Sequence, residues 1–173
     1  MRSHVRRVCF ASITIVLLFT LLRSGLALPQ NGGSFQLTVH ASGGSATLSG
    51  KLENVIIQPN NIISLIMVGD QMQISAPSGL GISGLHQSNF TGTLNGMRNG
   101  SILSGQIQNL AGKACINACF NLAFVGEGQW SGTLSQTHAN GTLQGTITIT
   151  DAPTSEIPTG RALSFSGTWT ADF

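Results

Sequence analysis

Phe90-Thr91-Gly92-Thr93-Leu94 and, nine residues on, Leu103-Ser104-Gly105-Gln106-Ile107 share one pattern: apolar, any residue, Gly, any residue, apolar. In an extended chain alternate side chains point to opposite faces, so each Gly stands on the same face as its two apolar neighbours. Such a face has a gap at its centre, where a strand can coil sharply or an aromatic ring can cover the backbone. The pattern returns at Leu48-Gly50-Leu52, Trp130-Gly132-Leu134, Leu143-Gly145-Ile147 and Phe165-Gly167-Trp169, six copies in all. Spans 90–107 and 130–147 also match without a gap at an offset of forty: Gly92, Thr93, Leu94, Leu103, Gly105 and Ile107 recur as Gly132, Thr133, Leu134, Leu143, Gly145 and Ile147. An Asn-Gly pair lies inside each span, Asn99-Gly100 and Asn140-Gly141, and suits a turn that needs positive φ. The expected unit is a duplicated hairpin that reverses at each Asn-Gly.

Outward from these spans the period stays near two. Phe35, Leu37 and Val39 alternate with Gln36, Thr38 and His40, and Leu143, Ile147 and Ile149 alternate with Thr142, Gln144, Thr146, Thr148 and Thr150. No sustained helical spacing follows the first 27 residues, and Gly and β-branched residues disfavour long helices. Breaks fall at Asn31 to Ser34, Ser42 to Gly44, Pro59 to Asn61, Pro77 to Gly84 and Asp151 to Gly160. Eight to ten short strands result. The expected fold is all-β, a single antiparallel meander rolled into a barrel by its inward glycines, with a two-layer β-sandwich as the alternative.

The first 27 residues read differently. Arg2, His4, Arg6 and Arg7 form a basic head, a mostly apolar run follows from Val8 to Leu22, and Gly25-Leu26-Ala27 offers small residues for cleavage between Ala27 and Leu28. Fifteen residues are fewer than the roughly 20 a membrane-spanning helix needs, and Arg23 closes the run. Residues 1–27 are therefore expected to be a secretory signal peptide and 28–173 a single β domain with no membrane span once the leader is gone; retention as a signal anchor is the alternative. The expected location is secreted, extracellular or in the cell envelope.

Removing the leader reverses the charge. The whole chain carries eight Lys and Arg against six acids; Arg2, Arg6, Arg7 and Arg23 leave, and Lys51, Arg98, Lys113 and Arg161 remain, a net charge of −2. No basic stripe survives to neutralise phosphates, so nucleic acid is not an expected partner. The 146 residues left are enough for one domain burying roughly 70% of its unfolded surface. Cys9 leaves as well, and Cys115 and Cys119 form an even pair expected to be a disulfide around the bend at Ile116-Asn117-Ala118.

Several motifs invite chemistry and are read more plainly. Gly79, Gly81 and Gly84 satisfy G-x-G-x-x-G, yet the residues after them lead into a strand, not the helix that would hold a pyrophosphate. Asn89, Asn99 and Asn140 each open an N-glycosylation sequon and are candidate acceptors. His40, His86 and His138 lie more than forty residues apart and have no acid at ligand spacing, so no metal site is expected. A triad could be written from a Ser, one of these His and Asp70 or Asp151, but no G-x-S-x-G elbow positions a nucleophile. The acids Glu53, Asp70, Glu127, Asp151, Glu156 and Asp172 are scattered and are read as solvated rather than as a glycosidase pair. Trp130 and Trp169 fall on the inward face and are expected in the core, not as sugar platforms. Gly167-Thr168-Trp169 resembles the G-x-W strand of lipocalin- and avidin-like barrels, which opens those barrels, whereas here it closes the chain; three residues assign no family.

The expected function is that of an exported non-enzymatic β domain, structural or surface-binding, with no catalytic residues and no cofactor. One alternative is a small barrel carrier of an apolar ligand, which needs an internal cavity of roughly 300 Å³ or more. A secreted hydrolase is the second alternative.

Overall fold

In the computed structural model, residues 32–41, 44–75, 83–116, 120–152 and 159–173 are described. They form eight strands: β1 (Gly33–Ala41), β2 (Gly44–Ile57), β3 (Ile62–Ser75), β4 (Gly84–Asn99), β5 (Ile102–Ile116), β6 (Phe120–Ser135), β7 (His138–Asp151) and β8 (Ala162–Asp172). Each pairs antiparallel with the next, and β8 returns to β1 through Phe35↔Trp169 and Leu37↔Gly167, so the meander closes into a barrel. A sandwich would leave that seam open, and closure removes every free edge.

Alternation decides what faces where. Phe35, Leu37 and Val39 are buried, as are Leu143, Ile147 and Ile149, while Gln36, His40, Thr142, Gln144 and Thr146 are exposed. The buried set is wholly apolar among the described residues, with no buried charged or polar residue. Rings fill part of the lumen. Phe35 on β1 meets Phe90 on β4 edge to face at 5.7 Å, and Phe90 meets Phe124 on β6 at 5.9 Å. Strands β1, β4 and β6 lie on different sides of an eight-stranded ring, so these contacts cross the interior.

The inward glycines work in pairs. Gly96 on β4 lies opposite Gly105 on β5, and Trp130 of β6 lies over both: a methyl on either would sit 2.6 or 2.7 Å from its ring. Gly132 on β6 lies opposite Gly141 on β7, and Trp169 of β8 covers that pair at 2.6 Å from each methyl position. Each indole donates its Nε1–H to the carbonyl just before the first Gly, Trp130 to Asn95 at 3.3 Å and Trp169 to Ser131 at 3.1 Å. The two indoles pack edge to face at 5.5 Å. Phe90 of β4 lies against Gly69 on the neighbouring β3, which pairs with Gly50 of β2, and Phe165 of β8 against Gly145 on the neighbouring β7, which pairs with Gly128 of β6. Paired glycines thus make room for a large ring from the next strand, the role of aromatic cover in curved sheets.

The duplicated hairpin needs one correction. Asn99 pairs with Ile102, so β4 and β5 reverse through Gly100-Ser101, with Gly100 at φ 63°. Asn140-Gly141, in contrast, lies inside β7. The second reversal is at Gln136-Thr137, between the pair Ser135↔His138, and Gln136 takes φ 57°. Moving the turn to Asn140-Gly141 would take Gly141 from beneath Trp169, and burial of the indole outweighs the local preference of a dipeptide. The structural offset between the hairpins is therefore 36, Gly96 to Gly132 and Gly105 to Gly141, not the forty that sequence matching finds.

Candidate functional site

The barrel wall coils where glycines leave it without side chains, and a wide depression lies on the outside of that coil. It is an open groove of about 970 Å³ across β5 to β8. Its floor includes Gly126, Gly128 and Gly145, and outward side chains of the same strands form its walls. Gln106, Gln129 and Gln144 occupy directly opposed positions on β5, β6 and β7, and Ser166 on β8 continues the row. Adjacent strands are about 4.8 Å apart, so the row presents one planar amide per strand step.

A bulge shapes one wall. Asn109 adopts φ 53° and has no partner in the register between Ile107↔Gly128 and Leu110↔Gly126. Asn tolerates this left-handed conformation better than most residues, and such a bulge redirects neighbouring side chains. Gln108 and Asn109 both line the groove. Asn95 on β4 donates its Nδ2–H to Gln108 Oε1 at 3.2 Å, and Ser64 on β3 donates to Asn95 Oδ1 at 3.2 Å. The acceptor of Gln108 is thus engaged by the protein and its NH₂ is left for the groove. Glu127 is the carboxylate of the lining and His40 its imidazole; no Lys or Arg contributes. A smaller groove of about 460 Å³ crosses β8, β1, β2 and β3 and does hold opposite charges, Lys51 and Asp70.

The residues singled out by sequence are dispersed. Ala27, Leu28, Cys119 and Glu156 lie outside the described residues, as do Gly79 and Gly81 of the glycine motif; its last member, Gly84, opens a strand. Cys115 is half-buried, second from the end of β5. Asn89, Asn99 and Asn140 are all exposed, with Thr91, Ser101 and Thr142 also exposed at their sequon positions. Trp130 and Trp169 are 2% and 1% exposed, in the core as expected.

The histidines do not share a site. His40 is at the groove, His86 is on β4, and His138 pairs Nδ1 to Asp172 Oδ1 at 2.8 Å across β7 and β8. The partner acid is Asp172, neither Asp70 nor Asp151. The side chains are 54% and 72% exposed, which makes this a water-screened surface pair. Ser88, two residues from His86 on the inward phase of β4, has a buried Oγ without a hydrogen-bond partner. No group of three His, Cys, Asp or Glu side chains comes together among the described residues, and no described helix is long and apolar enough to cross a membrane.

Sequence reasoning passed over the amides. Their signal was in the strings Gly105-Gln106, Gly128-Gln129 and Gln144-Gly145: a Gln beside an inward Gly must point outward at the coil. Comparison of the chain with family models, with curated proteins and with solved structures finds no match.

Proposed function

We propose that the chain is an exported, non-enzymatic binding module of the cell envelope or extracellular space, and that it works through its outer wall rather than its lumen. The observation that carries this reading is the contrast between the two faces. Inside, Phe35, Phe90 and Phe124 meet across the barrel, and Trp130 packs on Trp169, leaving an apolar carrier little room at these levels. Outside, hydrogen-bonding side chains line an open groove. The wall is apolar inward and rich in Gln, Thr and Ser outward, the reverse of the apolar outer band of a membrane-spanning barrel.

The head, apolar run and small residues of positions 1–27 support export with cleavage after Ala27, and an oxidising compartment favours a Cys115–Cys119 disulfide. In a secreting host that glycosylates, exposure of Asn89, Asn99 and Asn140 suits modification there. The test is mass spectrometry of the secreted protein, native and denatured. A chain starting at Leu28, lacking two thiol hydrogens and carrying no stoichiometric apolar compound is the expected result. An uncleaved, cell-retained product overturns the export reading, and a co-purifying lipid-like ligand in molar amount restores the carrier.

A further inference from the structure

Resting on the reading of the outer wall as the binding face, we propose that the groove across β5 to β8 is a site for an uncharged polyhydroxyl chain, that is, a neutral oligo- or polysaccharide. Four features select this class. The lining holds no Lys or Arg, so phosphate, sulfate and nucleic acid lack the cation that would draw them. The row of Gln106, Gln129 and Gln144 repeats a group that both donates and accepts, which fits a ligand whose hydroxyls do the same at regular intervals. The row runs across the strands, so a linear ligand laid along it meets a fresh amide about every 4.8 Å, comparable to the length of one sugar unit.

The fourth feature is orientation. Ser64 and Asn95 form a relay that fixes Gln108 at the groove wall, and the bulge at Asn109 brings that residue into the same depression. Side chains held in place before binding lose less freedom on binding, which matters for a ligand recognised by hydrogen bonds alone. Glu127 adds an acceptor for a sugar hydroxyl and disfavours acidic glycans by like-charge repulsion.

The experiment is affinity electrophoresis of the oxidised 28–173 chain through gels containing a soluble mixed-linkage β-glucan, a galactomannan, an α-glucan or heparin. Retardation by at least one neutral polymer, none by heparin, and a tenfold or greater loss of that retardation in the Gln129→Ala/Gln144→Ala double variant is the expected outcome. The near-UV circular dichroism of the buried tryptophans verifies that the variant is folded. A second variant, Lys51→Ala/Gln71→Ala in the smaller groove, keeps full retardation. Retardation unchanged by the Gln variant but lost in the Lys51 variant overturns the site while leaving an outer-wall binder. Retardation by heparin alone overturns the ligand class. No retardation in any gel overturns this inference; the binding-module reading then fails only if the protein also fails to sediment with insoluble cell-envelope material.

Discussion

The hairpins β4–β5 and β6–β7 carry the same internal device and reverse in different ways. In the first, Asn99-Gly100 stands at the turn and Gly100 supplies the positive φ. In the second, an identical dipeptide lies five residues past the start of the reversal, as part of a strand, and a glutamine takes positive φ instead. What the two share is two opposed glycines under an indole that donates to the backbone. Where turn chemistry and ring burial agree, the chain follows both; where they conflict, ring burial sets the register.

That difference can be attacked directly, and the strongest attack is on the rings. Trp130→Ala and Trp169→Ala each remove a fully buried indole and its hydrogen bond, and each is expected to lower stability by about 3–5 kcal/mol, measured by denaturant unfolding. If turn residues ruled the second hairpin, Trp169→Ala would cost far less than Trp130→Ala.

Glycine substitutions separate cover from turn. Gly141→Ala would push a methyl against Trp169 and the Ser131 carbonyl and is expected to cost about 1–3 kcal/mol or more. Gly100→Ala meets no atom within 4 Å and suffers only from its φ of 63°, an expected loss of about 1 kcal/mol. The order of the two losses is the test, since a true Asn140-Gly141 turn would make them alike. The smallest change is Gln136→Gly, which relieves a positive φ at the cost of chain entropy and is expected to gain about 0.5 kcal/mol in melting experiments.

The eight-stranded meander was legible because the six Gly-centred copies fix which face turns inward, and because the breaks at Ser42, Pro59 and Pro77 fall between the strands observed and the one that opens at Asp151 begins on the last residue of β7. The position of the second turn was not, since it depends on Trp169 of β8, 32 residues beyond Thr137. The bulges at Asn54 and Asn109 were equally hidden: each is a one-residue adjustment of register that only the neighbouring strands impose. The groove was half legible. Gln106, Gln129 and Gln144 read as outward from the period, but their alignment into one row needs the cross-strand register, which a linear pattern does not contain.

The most direct test of the account is nuclear Overhauser spectroscopy on the 28–173 chain, observing the Gly132 and Gly141 α-protons. Strong upfield ring-current shifts and cross-peaks from both glycines to the Trp169 indole, together with a cross-strand α-proton contact between Gly132 and Gly141, are the expected result. Unshifted Gly141 protons with sequential contacts of a tight turn at Asn140-Gly141 would contradict it.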